Sequence, residues 1–97
     1  MDEIENRRLH AIVEGRVQGV NFRYFVTQTA RRFGINGWVR NRWDGTVEVV
    51  AEGKSKNLES LIKELHRGPA SANVTAVKYE WHDYAAEFKE FQVRMTR

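Results

Sequence analysis

Cysteine is missing from all 97 residues. Its absence removes disulfide scaffolds, thiol nucleophiles, redox Cys-x-x-Cys pairs and zinc sites built on sulfur. Proline occurs once, at Pro69, so no proline-rich linker divides the chain. No apolar run approaches the length of a membrane span, and the acidic start, Met1 to Asn6, lacks the apolar stretch of a signal peptide. The three histidines, His10, His66 and His82, show neither HExxH nor HxH spacing, so no metal cluster is expected. These absences predict a cytoplasmic, soluble chain with no metal, no cofactor and no membrane partner. What remains, 41% apolar residues, suits one domain over 1–97 with an unstapled core, residues 1–7 forming a flexible extension.

Charge is unevenly spread. Residues 7–42 hold eight arginines against one acid, Glu14, a local balance of +7. The rest of the chain carries eight bases against twelve acids, or −4. Fixed arginine charge on an otherwise acidic chain points to an anionic ligand. Arg7, Arg8, Arg31 and Arg32 are expected on solvated faces, and the net charge of +3 is modest for a nucleic-acid binder.

Apolar periodicity gives the elements. Residues 8–14 alternate as a half-buried strand with Leu9, Ala11 and Val13 inward. A loop from Gly15 to Asn21 follows. Phe22, Phe25, Val26, Ala30 and Phe33 then take helical spacing up to the stop at Gly34. Gly37–Arg42 and Thr46–Glu52 read as strands joined at Asp44-Gly45. Ser55 is the expected N-cap of a second helix carrying Leu58, Leu61, Ile62 and Leu65 and ending at Gly68-Pro69. Residues 77–81 and 91–95 alternate as strands. The order βαββαβ plus a short last strand predicts a ferredoxin-like α+β sandwich, two helices on one face of a mainly antiparallel sheet.

The hairpin register follows from charge. A two-residue Asp-Gly turn would place Arg40 and Arg42 on the face of the buried valines. A three-residue turn, Trp43-Asp44-Gly45, pairs Arg40 with Glu48 and Val39 with Val49 and separates the faces, so it is preferred.

The strand, glycine loop and helix can offer backbone N–H groups to an anion. Arg23 falls in the first helical turn, where a cation opposes the helix dipole at a cost of a few tenths of a kcal/mol, roughly, unless a bound anion neutralises both. On this segment alone, an anion site and a tight turn with a solvent-facing arginine serve equally well. A right-handed crossover makes the first two strands parallel, so Asn41, near the end of the second, reaches the same sheet edge as the loop. Its amide can position a water or brace the hairpin turn.

The run Val13-Glu-Gly-Arg-Val-Gln-Gly-Val-Asn-Phe-Arg23 closely resembles the first signature of the acylphosphatase family. Gly37-Trp-Val-Arg-Asn41, with Gly45, Val47 and Gly53, resembles the second. The resemblance extends from about Leu9 to the last strand. It implies a metal-free hydrolase that cleaves the carboxyl-phosphate bond of a small-molecule acyl phosphate by in-line water attack. It also implies that Arg23 binds phosphate and Asn41 orients the water. The phosphate loop would be Gly15, Arg16, Val17, Gln18, Gly19, Val20, Asn21 and Phe22. Inorganic phosphate would be both product and competitive inhibitor, and the enzyme a monomer.

The alternative is a non-catalytic ferredoxin-like module that binds an anion or RNA. Residues 46–52 lack the aromatics on which such sheets stack bases and contain two acids, which disfavours RNA. Trp38 and Trp81 are expected as packing residues, the histidines as satisfied surface groups, and Glu14 as pointing away from the core. Trp43 is expected at an exposed hairpin tip as a rim, and Arg16, Arg40 and Arg42 as steering charges.

Overall fold

The computed structural model describes residues 5–97. Five strands and two helices follow in the order β1 (Asn6–Arg16), α1 (Phe22–Arg32), β2 (Asn36–Asn41), β3 (Val47–Lys54), α2 (Ser55–Arg67), β4 (Asn73–Asp83) and β5 (Phe91–Val93). The sheet order is β4-β1-β3-β2-β5, with β2 and β5 as its parallel pair. Both helices pack on one face. This is the ferredoxin-like sandwich expected from the element order.

Leu9, Ala11 and Val13 of β1, Val47, Val49 and Ala51 of β3, Val39 of β2 and Phe91 of β5 form the sheet side of the core. Against them lie Phe22, Val26 and Ala30 of α1 and Leu58, Leu61, Ile62 and Leu65 of α2. The helical and two-residue periods thus converge on one apolar layer, whose removal from water drives the fold.

The hairpin adopts the charge-separating register, with Val39 opposite Val49 and Arg40 opposite Glu48. On the sheet face away from the helices, Glu48, Val50 and Glu52 of β3 and Trp38 of β2 are buried. Glu48 accepts from His10 Nε2 at 2.7 Å and from Arg40 Nε at 2.8 Å. Burial pulls the Glu48 carboxyl upward, but the hydrogen bonds from His10 and Arg40 outweigh it and hold the group below the usual glutamate range. Glu52, 2% exposed, accepts from the backbone N–H groups of Ala85 and Glu87 at 2.8 and 2.9 Å. It thereby ties the segment before β5 to this face. Trp38 is sandwiched between the Arg40 and Arg94 guanidinium groups, 4.6 and 4.9 Å from its ring centre.

Several boundaries differ from the sequence expectation. Asn6 and Arg7 are strand residues, because Arg7 pairs with Gly53 and Asp83, so the seven-residue extension is too long. Residues 1–4 lie outside the described residues. The fourth strand runs Asn73–Asp83 rather than 77–81, since β1 offers it a partner along its whole length. Ser55 does not cap α2. Its N–H and hydroxyl both donate to the Glu5 carbonyl, at 2.8 and 3.2 Å, and Lys54 occupies the cap position.

Candidate active site

β1 and β2 are both antiparallel to β3, and Val13 and Asn41 both pair with Val47, one from each side. The two strands therefore end at one edge of the sheet, where the β1–α1 segment begins. The expected loop is shorter at its start. Gly15 and Arg16 are still strand residues, paired with Val74 and Asn73 beyond a bulge after Glu14. Gly15 has φ +122°, and a Cβ there would collide with the Asn73 carbonyl. Its place at this position is steric: only glycine lets β1 turn past β4.

From Val17 the chain leaves the sheet and curls over the edge. Gly19 has φ 73°, and Asn21, also left-handed at φ 64°, leads into α1 without a side-chain cap. No backbone N–H from Gln18 to Tyr24 has an acceptor among the described residues. Three of these are the N–H groups that any helix start leaves open, and the loop adds four more beside them. Arg23 stands in the first turn of α1 with no ion pair or side-chain hydrogen bond among the described residues. No acid sits in that turn to offset it. The positive end of the helix, the free N–H groups and the guanidinium together make an electropositive corner, the kind of place that suits an anion.

Asn41 closes the corner from the sheet side. Its Oδ1 is buried and takes no hydrogen bond from any described residue. Leaving such an oxygen unsatisfied costs about 1–3 kcal/mol, so its placement calls for a partner from outside the chain. Gln18 fixes the spacing of the two walls: its Nε2 donates to the Arg42 and Thr46 carbonyls, both at 2.8 Å. Sequence reasoning placed Gln18 in the loop but missed this brace.

Arg23 and Asn41 line the same open cleft of about 610 Å³ with Val17, Gly19, Asn21 and Phe22. Gly15, Arg16, Gln18 and Val20 do not line it. Arg16 donates to the Ser71 carbonyl at 3.0 Å, and Val20 is held by Ser71 Oγ at 3.2 Å. The steering arginines are differently engaged from expectation. Arg40 is paired with Glu48 on the opposite sheet face, and Arg42 lies 3.8 Å from Asp44. Trp43 is 83% exposed at the hairpin tip, as expected, but is not part of the cleft wall.

The remaining wall was not anticipated: Tyr24, Thr27, Gln28 and Arg31 of α1, with Val93 of β5. The spacing 23, 27, 31 is an i, i+4, i+8 helix stripe and was the available signal. Of the four arginines expected on solvated faces, Arg8 pairs with Glu52 and Glu87. Arg7 stacks on Trp81 and Arg32 lies over Phe33. Arg31 lines the cleft. Among the described residues no cluster of three or more His, Asp or Glu could hold a metal ion.

Sheet order, uncapped helix and electropositive corner define an α/β sandwich with an open cleft at one sheet edge. The acylphosphatase family model matches residues 9–93, and the chain belongs to that family. An acylphosphatase of Salinibacter ruber is 47% identical over 94 residues, covering 97% of this chain and 99% of that protein. Among solved structures, the Bacillus subtilis acylphosphatase superposes with a TM-score of 0.88 at 36% identity, over 91% of this chain and 98% of that one. The Coxiella burnetii acylphosphatase gives 0.87 at 36%, over 92% and 93%.

Proposed function

We propose that this chain is an acylphosphatase whose chemistry is carried by Arg23, Asn41 and the free N–H groups of residues 18–24. The observation that carries the reading is that run of unpaired donors beside an arginine with no counter-charge. The phosphoryl oxygens of an acyl phosphate accept from the loop N–H groups and from the Arg23 guanidinium, which can bind two oxygens at once. The Asn41 side-chain amide hydrogen-bonds the attacking water and holds it in line with the scissile bond. Water attacks phosphorus, the P–O bond to the acyl group breaks, and the carboxylate departs with the electron pair. The water's proton passes to a phosphoryl oxygen. A carboxylate is a good leaving group, so no general acid is required. A loose phosphoryl-transfer transition state depends mostly on positioning and charge stabilisation, which this sparse set of groups supplies.

Inorganic phosphate, which shares the phosphoryl oxygens, is then a competitive inhibitor, and the enzyme acts as a cytoplasmic monomer. The test is phosphate release from acetyl phosphate after exhaustive chelation. Activity that survives chelation, with phosphate raising KM alone, supports the reading. Activity restored only by a divalent cation, or noncompetitive inhibition, overturns it.

A further inference from the structure

The cleft continues beyond the electropositive corner along α1, and nothing in the hydrolysis of the anhydride uses that extension. Its walls are Tyr24, 66% exposed, Val93, 50% exposed, Gln28 and Arg31. Arg31 lies two turns beyond Arg23, about 12 Å along the helix axis at 1.5 Å per residue. That rise sets the scale of a ligand with an anionic group at each end.

Two features single out Arg31. A basic residue near the C-terminal end of a helix suits the dipole, but Arg32 satisfies that role as well. Most arginines here have a carboxylate or aromatic partner: Arg8, Arg40, Arg42 and Arg67 an acid, Arg7, Arg32 and Arg94 a ring. Arg31 has neither. Its Nη2 donates to the Phe91 carbonyl at 3.2 Å, which anchors the guanidinium against β5 and leaves its other donors free. No Asp or Glu lines the cleft to neutralise it. The cleft thus carries positive charge at both ends with a short tyrosine- and valine-walled stretch between.

We propose that Arg31 forms a second anion subsite, and that the preferred substrates are acyl phosphates whose acyl group carries a further carboxylate or phosphate several atoms from the anhydride. The proposal rests on the acyl-phosphate reading above and names the substrate class of that site. The phosphoryl group sits at Arg23, the acyl chain lies between Tyr24 and Val93, and the distal anion pairs with Arg31. Because that end of the cleft is open to water, the gain is modest and sensitive to salt.

The experiment compares benzoyl phosphate with 4-carboxybenzoyl phosphate, which adds one rigidly placed carboxylate and leaves the anhydride unchanged. The readout is the ratio of their KM values within each protein. In the wild-type protein 4-carboxybenzoyl phosphate should have a KM about three- to fivefold lower at low salt. The ratio should approach one in 0.5 M sodium chloride. Arg31→Gln should abolish the preference and Arg31→Lys should keep part of it. Arg31→Lys and the salt series decide the matter if loss of the Phe91 anchor unfolds the glutamine variant. A wild-type protein that hydrolyses both without preference, or a preference retained in Arg31→Gln, overturns the subsite alone. Failure to hydrolyse either substrate overturns the acyl-phosphate reading itself.

Discussion

In the proposed mechanism Arg23 and Asn41 face the same reaction from opposite walls, and their kinetic signatures should differ accordingly. In that mechanism Arg23 grips the phosphoryl group in ground and transition states through a planar fork that lysine cannot reproduce. Arg23→Lys is therefore expected to weaken phosphate inhibition and to reduce kcat severely. Asn41, as proposed, touches only the water. Asn41→Ala should lower kcat by about a hundredfold or more while KM and phosphate affinity stay nearly constant, as steady-state kinetics on the folded variants will show. Near-normal kcat in folded Asn41→Ala would assign the asparagine to the hairpin instead. The orphaned Oδ1 favours the catalytic role: an asparagine that merely braced the turn would spend that oxygen on the backbone.

At the scale of elements, β3 does two jobs. Its inward valines build the core, and its outward Glu48 and Glu52 hold the polar face together. Glu48 sits below the ordinary glutamate range because, against the upward pull of burial, the hydrogen bonds from His10 and Arg40 stabilise its ionised form. A carboxyl depressed in the folded state adds stability above its unfolded value, and loses it as pH falls through the folded value. Glu48→Gln should then cost about 1–2 kcal/mol at pH 7. Urea melts should show that difference narrowing as the pH drops below 4.5, the usual glutamate value. Charge patterning alone revealed the hairpin register, because Arg40 and Glu48 cannot lie with valines. It did not reveal that Glu52 receives the backbone of residues 85–87, since two acids alternating in a strand look the same whether a distant segment covers them or not.

For the molecule as a whole, the sequence reported what is local and concealed what depends on long-range pairing. Strand and helix periods, the glycine loop and the Arg23–Asn41 site were legible from spacing and from family resemblance. The full length of β4, the capture of Glu5 by Ser55, the Gln18 brace and the distal cleft were not, because each is created by a partner far away in the chain. The proposed anion corner also makes a thermodynamic prediction for the intact protein. A ligand that binds only the folded state stabilises it by mass action. Phosphate at about ten times its dissociation constant should add about 1.4 kcal/mol and raise Tm by roughly 6–11 °C, with or without chelator. Arg23→Gln should flatten that response in a thermal melt, and an undiminished shift would move the phosphate site elsewhere.

Gly15, squeezed against Asn73, means that one rim of the electropositive corner is set by β4, a strand made from the last third of the chain. Leu9 pairs with Trp81 across the same seam. Contacts so remote in sequence carry a large loop-closure entropy, which places folding in the range of milliseconds to seconds. A rim made by so remote a strand is expected to close after the rate-limiting barrier, so that the corner holds no anion there. Phosphate should therefore leave the refolding arm of a chevron plot in place and lower the unfolding arm by the whole of the binding free energy. In stopped-flow traces the ligand would act as a brake on opening, prolonging the life of the native enzyme without hastening its birth.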